Sequence, residues 1–277
     1  MAEPTRTVQT ETLYAQSDEP IIIEFKETKG TKRDVHKYTV LSPATYAGLK
    51  EGCTGVTGFR DKSGPLMQWA ANMAVEAKRN GLSDEKARYA HRAAKDNAGD
   101  VGTRVHDWIE KHLHGVDLPY ADDMQPSVEG YLRWEAEFKP QTLWSERIVY
   151  SKEHDYAGKL DWGGVLGGKY GLIDFKTGGL DKEYNAYRKA FTGRMRAKSE
   201  HFIQNAGYDI PLIEEDGKPA EFYGVLYIPV TGDVQYFQTT DTATAQQAFL
   251  HTLYAKRAWK DVENGNLYEE RSKSDEN

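Results

Sequence analysis

Cysteine is almost missing from this chain: Cys53 is the only one in 277 residues. That excludes an intramolecular disulfide and any four-cysteine zinc or iron–sulfur site. Long apolar runs are missing as well. No stretch approaches the ~18 residues of a membrane-spanning helix, and the N-terminus lacks a signal-peptide pattern. The expectation is a cytoplasmic protein without membrane attachment. A net positive charge is lacking: 43 acids outnumber 36 lysines and arginines, for a net charge of −7. This argues against a nonspecific coat for nucleic acid, which binds by neutralising many phosphates. Local phosphate contacts stay open, because part of the acidity lies in the tails. At this length one large core can form, and a single domain with an N-terminal appendage is expected.

What is present is concentrated between Gly158 and Thr177. Two short apolar runs, around Leu160 and from Leu172 to Phe175, flank a glycine-rich connection, which reads as a β-hairpin. Gly163, Gly164, Gly167 and Gly168 are assigned to its turn; they lack the lysine–serine/threonine ending of a phosphate loop. Each run carries one acid, Asp161 and Asp174, and Lys176 follows two residues after the second. Residues i and i+2 of a strand share a face, so Asp174 and Lys176 project together. If the hairpin sets Asp161 beside Asp174, two carboxylates and an ammonium converge. Carboxylates held close repel unless a cation lies between them, and hard oxygen ligands suit Mg²⁺ or Mn²⁺. A lysine beside such an ion can orient or activate water for attack on a phosphodiester.

The remaining chain divides by periodicity. Residues 1–19 are polar without a period and are expected to be mobile or loosely packed, with no element assigned. Ile21–Lys26 and His36–Leu41 read as strands about a basic turn, and 42–64 is rich in glycine and loops. Leu66–Asn80 is a helix with Trp69 toward the core. Ser83 caps a second helix running to Ala98, on which Arg88, His91, Arg92 and Lys95 form either a solvated face or a phosphate-contacting stripe. In a helix over 100–113, Val105, Trp108, Ile109 and His112 define an apolar side, and His106 and Glu110 lie one turn apart beside it. Glu110 either orients His106 or is a plain surface partner. Gly102 lets the hairpin approach this helix closely.

Pro126–Phe138 is a helix with Tyr131, Trp134 and Phe138 facing the core. In the strand Leu143–Ser151, Trp144, Glu146, Ile148 and Tyr150 alternate onto one face, where Glu146 requires a cation or donors, or a structural salt bridge. Between 178 and 199, Tyr184, Tyr187, Arg188, Lys189, Arg194, Arg196 and Lys198 interleave aromatics with cations. That suits either a strand-tracking wall or lid, or an ordinary basic surface helix. Gln204 and Tyr208 lie one turn apart on a helix that Pro211 is expected to stop or kink. Strands at 221–229 and 234–239, then a helix over 241–263 anchored by Phe249, Leu253 and Trp259, complete the domain.

Four motifs in order, Gly102-Thr103-x-x-His106-x-x-x-Glu110, Gly158-x-x-Asp161, Asp174-x-Lys176-Thr177 and Gln204-x-x-x-Tyr208, resemble the RecB-type exonuclease branch of the PD-(D/E)XK nucleases. Val56-Thr57 and Leu66-x-x-Trp69-Ala70 resemble the start of phage and mitochondrial members. The resemblance implies an α/β fold: a restriction-endonuclease-like central mixed sheet flanked by helices, with an N-terminal β-hairpin and helical appendage. The nuclease domain would span 56–264, after an extension at 1–55 and before a polar tail at 265–277. It implies catalytic roles for Asp161, Asp174, Lys176, His106, Gln204 and Tyr208. One or two Mg²⁺ or Mn²⁺ ions would sit on His106, Asp161, Asp174 and the Phe175 carbonyl, supported by Glu110, Glu146 and Thr177. Some relatives carry a cysteine-bound iron–sulfur cluster, which the single cysteine excludes here, and the 178–199 connection is longer than theirs. The implied activity is a DNA exonuclease leaving 5′-phosphates, acting on linear ends or single strands. Recombination, repair or replication would be its setting, with a phage origin and single-strand-binding or recombinase partners left open. The alternative is a nuclease fold that binds DNA or protein without catalysis.

Overall fold

The computed structural model describes residues 5–29, 35–59, 63–116, 118–177, 181–185 and 190–265. The chain opens with β1 (Thr5–Leu13), β2 (Ile21–Lys29), β3 (Val35–Ser42) and β4 (Gly48–Gly52), an antiparallel meander. β1 corrects the expectation that residues 1–19 carry no element. Its threonine-rich sequence has little apolar period, but nine residues pair in register with β2, and the ladder supplies what the pattern does not. The inward residues Ile21, Ile23, Phe25, Tyr38 and Val40 bury against Ile148 and Tyr150. The meander therefore extends the main sheet rather than standing apart from it.

α1 (Cys53–Thr57), α2 (Ser63–Arg79), α3 (Asp84–Arg88), α4 (Ala90–Leu113) and α5 (Gln125–Phe138) follow. Ser83 caps α3 as expected, accepting from Lys86 N, but α3 stops at Tyr89. α4 then runs unbroken through both expected helices. Gly99 and Gly102 weaken helix propensity locally; packing of Val105, Trp108 and Ile109 carries the helix past them.

β5 (Gln141–Ser151), β6 (Tyr156–Leu166) and β7 (Lys169–Lys176) form the centre, with β10 (Phe222–Tyr227) parallel to β7 and β11 (Gln235–Thr239) antiparallel to β10; β8 (Asp181–Asn185) and β9 (Ala190–Arg196) pair separately. The described residues thus make a nine-stranded mixed sheet and a two-stranded one. Helices flank the main sheet, in the expected architecture. α4 and α5 cover one face; α6 (Ser199–Asp216) and α7 (Thr242–Glu263) cover the other. Among the described residues no helix is long and apolar enough to cross a membrane.

Five local readings are corrected. Gly167 and Gly168, both at positive φ, make the β6–β7 turn, whereas Gly163 and Gly164 lie within β6. Trp144 packs with Val149 and Leu160 on the α6 face while Ile148 and Tyr150 face the meander, so the β5 alternation breaks near Glu146. Trp259 is exposed: burial along α7 ends at Leu253, and the indole N–H donates to Glu263. Phe138 is also partly exposed, stacked on Trp134 at the rim of the core. Among the described residues between 178 and 199 the backbone forms β8 and β9 rather than a surface helix. Tyr187, Arg188 and Lys189 lie outside the described residues, as do the side chains of Trp69, Tyr184 and Arg194. Arg196 is exposed and Lys198 half-buried.

Pro211 sits inside α6 without ending it. A proline lacks the N–H that would bond the carbonyl four residues earlier. That carbonyl, Gly207 O, instead accepts from the buried Tyr156 hydroxyl at 2.8 Å. Tyr156→Phe should therefore destabilise the protein by ~1–3 kcal/mol, the cost of an unpaired buried acceptor. In a Pro211→Ala background, where an N–H returns, the loss should shrink; urea unfolding of the four proteins measures that coupling.

Candidate active site

β6 changes neighbours halfway along. β5 occupies one of its edges from Tyr156 to Val165, so β4, paired at Tyr156–Ala157, and β7, paired from Trp162 onward, share the other. Residues 158–161 lie between them with that edge unpaired. The hairpin register ends at Trp162↔Ile173, and the next step sets Asp161 opposite Asp174. There the backbone ladder gives way to side chains: Phe175 N–H donates to Asp161 Oδ2 at 2.7 Å. The carbonyl of a strand residue shares an edge with its N–H, which turns the Phe175 carbonyl toward Asp161 as well. Lys176 Nζ donates to Asp174 Oδ1 at 2.6 Å.

α6 brings Gln204 and Tyr208 to the same acid. Gln204 Nε2 donates to the Tyr208 hydroxyl at 2.6 Å and to Asp174 Oδ1 at 3.3 Å. The approach depends on Gly158, where a Cβ would lie 2.6 Å from the Tyr208 ring. α4 comes equally close from the other face, since a Cβ on Gly102 would collide with the Thr177 hydroxyl. That contact fixes the turn of α4 carrying His106. The imidazole lies between two carboxylates, Nε2 at 3.4 Å from Asp161 Oδ2 and Nδ1 at 3.6 Å from Glu146 Oε1. The carboxylates beside His106 are thus Asp161 and Glu146, while Glu110 lines the same cavity.

Glu146 has φ +54°, a left-handed conformation that costs a non-glycine residue roughly 1–2 kcal/mol. The strand pairings on either side, Ser145↔Trp162 and Arg147↔Leu160, put it across from Asp161. Its second partner is Lys159, ion-paired to Glu146 Oε2 and absent from the expected site. Lys159 precedes Asp161 by two residues on a strand, so the reasoning that joins Asp174 to Lys176 would also have found it. Glu27, His36, Tyr38 and His201 likewise line the cavity, which measures about 610 Å³. Their positions depend on the meander and α6 docking, for which the sequence carries no local signal.

The electrostatics are those of carboxylates taken out of water. Burial pushes the Asp174 carboxyl above its ordinary range, and Asp161 adds to this against the pull of Lys176. Burial and Asp161 likewise raise Glu146, opposed by Lys159 and His106. Burial acts on Asp161 too, but His106, Lys176 and the Phe175 N–H outweigh it and hold this acid low. Asp174 Oδ2 is buried with no hydrogen-bond partner among the described residues. His106, Glu146 and Asp161 each offer a ligand atom, all within 4.8 Å of one another. A hard-oxygen and imidazole donor set with one orphaned carboxylate oxygen beside it fits a divalent cation. A second group, Glu153, His154 and Glu214, has the same spacing. There Glu214 already accepts from Ser151, Tyr14 and the backbone of the 151–155 turn, a bracing role.

No family model matches the chain, and no curated protein matches it significantly in sequence. Among the solved structures that share a distant likeness are the following two. One is from Eubacterium rectale, an exonuclease by inference: 11% identity, 62% of this chain and 70% of that one covered, TM-score 0.40. The other is an alkaline exonuclease from Laribacter hongkongensis: 15% identity, 79% and 95% covered, TM-score 0.28.

His106 supplies a pH test on the chelated protein. Burial lowers its pKa, but Asp161 and Glu146 overcome this and raise it from 6.5 to about 9. A raised folded-state pKa stabilises fully below the unfolded value and loses its effect as pH climbs through the folded one. The stability difference between wild type and His106→Gln should be largest below about 6.5 and vanish above about 9, measured by urea unfolding with chelator present.

Proposed function

We propose that this protein is a Mg²⁺- or Mn²⁺-dependent deoxyribonuclease of the PD-(D/E)XK type, acting as an exonuclease on DNA ends or single strands. Asp174 carries the reading: Oδ1 holds Lys176 and Gln204, while buried Oδ2 has no hydrogen-bond partner among the described residues. His106, Glu146, Asp161, Asp174 and the Phe175 carbonyl would hold one or two ions. A divalent ion bound there would polarise the scissile phosphate and lower the pKa of a bound water.

The protein's own groups do the positioning. The Phe175 N–H and His106 keep Asp161 ionised and aimed. Gln204, braced by Tyr208, holds Asp174 against rotation. The Lys176 ammonium, tethered to Asp174, would position a water at that carboxylate and offset charge developing on the phosphate. Thr177, packed on Gly102, keeps α4 and β7 together so that His106 and Asp161 stay in register. On this reading residues 56–264 are the nuclease domain, with the meander as its extension. The 178–199 segment is a wall for DNA, the product carries a 5′-phosphate, and the setting is DNA recombination, repair or replication in the cytoplasm.

End-labelled linear and circular DNA, incubated with Mg²⁺, Mn²⁺ or chelator, tests this directly. Linear DNA should be lost only with metal, and Lys176→Ala and Asp174→Ala should each lower the rate on the order of a hundred- to a thousandfold. Cutting of circles would make it an endonuclease. A well-folded wild type inert under every metal would overturn the enzymatic reading in favour of a binding module. Independently of activity, Mn²⁺ should raise the thermal midpoint, by ~2.7 kcal/mol of stability at a hundredfold excess over Kd. The Asp161→Ala/Asp174→Ala variant should show no such rise.

A further inference from the structure

His106 stands between two acidic corners. Its Nε2 faces Asp161 Oδ2 and its Nδ1 faces Glu146 Oε1. A neutral imidazole offers a lone pair at one nitrogen and keeps a proton on the other, so the ring serves an ion on one side only. The two sides differ in what they already hold. On the Glu146 side a cation is in place: Lys159 Nζ is ion-paired to Glu146 Oε2, which leaves Oε1 toward the ring. The Lys159 side chain is 18% exposed, and its Nζ lies 5.1 Å from the centre of the Phe25 ring. Burial opposes the Lys159 charge, but Glu146, assisted by Glu110 and Glu27, outweighs it and holds the ammonium's pKa above the ordinary lysine value.

The Asp161 side is short of positive charge. Lys176 takes Asp174 Oδ1, and Asp174 Oδ2 has no hydrogen-bond partner among the described residues. Two buried acids there share one ammonium, whereas Glu146 has one of its own. A divalent ion gains most beside uncompensated carboxylates and is repelled by an ammonium already seated on its would-be ligand. Lys159 also fixes how Glu146 acts. With Oε2 held, Oε1 stays aimed at Nδ1, the nitrogen that must carry the proton if Nε2 is to be the ligand.

We infer that Lys159 is a positioning residue that decides the ligand set: as a resident cation it holds Glu146 out of the coordination shell and confines a divalent ion to Asp161, Asp174 and the Nε2 side of His106. The inference rests on the nuclease reading and narrows its list of ligands, giving Glu146 the task of orienting His106. Titration with Mn²⁺, followed by the electron paramagnetic resonance of the free ion, tests it without turnover. Lys159→Ala frees Glu146 to join the ion, so Kd should fall by about tenfold or more. Lys159→Gln, which keeps a donor to Glu146 but no charge, should shift Kd the same way. Lys159→Met/Glu146→Gln removes the pair together, which spares the fold an unpaired buried charge. Its Kd should stay within about tenfold of wild type, the lower end of what a change behind a ligand costs. An unchanged or higher Kd in folded Lys159→Ala and Lys159→Gln would reduce Lys159 to a structural partner and overturn the inference. Loss of binding in the pair variant as complete as in Asp161→Ala/Asp174→Ala would make Glu146 a ligand, with the same result. Both outcomes leave the nuclease reading standing. A folded wild type that binds no Mn²⁺ would overturn the metal site and this inference together.

Discussion

Like charges buried at one point dominate this structure. Asp161, Asp174 and Glu146 meet where β6 passes from β4 to β7, largely withdrawn from bulk water. Ionised carboxylates in such a place are costly unless opposite charge accompanies them. Lys176, Lys159 and His106 supply part of it, each held against an acid. Asp174 Oδ2 has no partner among the described residues, and that residual need is what makes a bound cation the natural complement.

The scaffold keeps this arrangement from relaxing. A splayed edge replaces a ladder hydrogen bond with the Phe175 N–H to Asp161. A left-handed Glu146 turns its carboxylate toward His106 at a cost in local strain. Gly102 and Gly158 remove the side chains that would hold α4 and α6 off the sheet. Behind them, α6 continues through Pro211 because Tyr156 satisfies the carbonyl that the proline deserts. Without that substitution the turn bearing Gln204 and Tyr208 would lose support on its far side.

The N-terminal meander joins stability to access. Ile23, Phe25 and Val40 bury it against β5, which makes it a structural part of the sheet. Tyr38, from the same ladder, reaches the cavity, as do Glu27 and His36. A rigid sheet edge is a better limit on what enters than a loop would be, because moving it means breaking a paired ladder and a core.

Much of the centre was legible in the sequence. The i, i+2 spacing of Asp174 and Lys176, the hairpin around Gly167-Gly168 and the one-turn steps His106–Glu110 and Gln204–Tyr208 are local. Local geometry follows from backbone periodicity. Other features were not legible. β1 has no strong pattern and exists through pairing; Trp259 looks like an anchor, but α7 leaves the core at Leu253. The partners of His106 are Asp161 and Glu146 rather than Glu110, because the pairing of β5 with β6 sets these two acids across from each other. The sequence by itself determined which chemical groups are present and which of them share a face. Only the tertiary structure decided which faces meet, how deeply the acids are buried and what closes over them, since those depend on contacts between residues far apart in the chain.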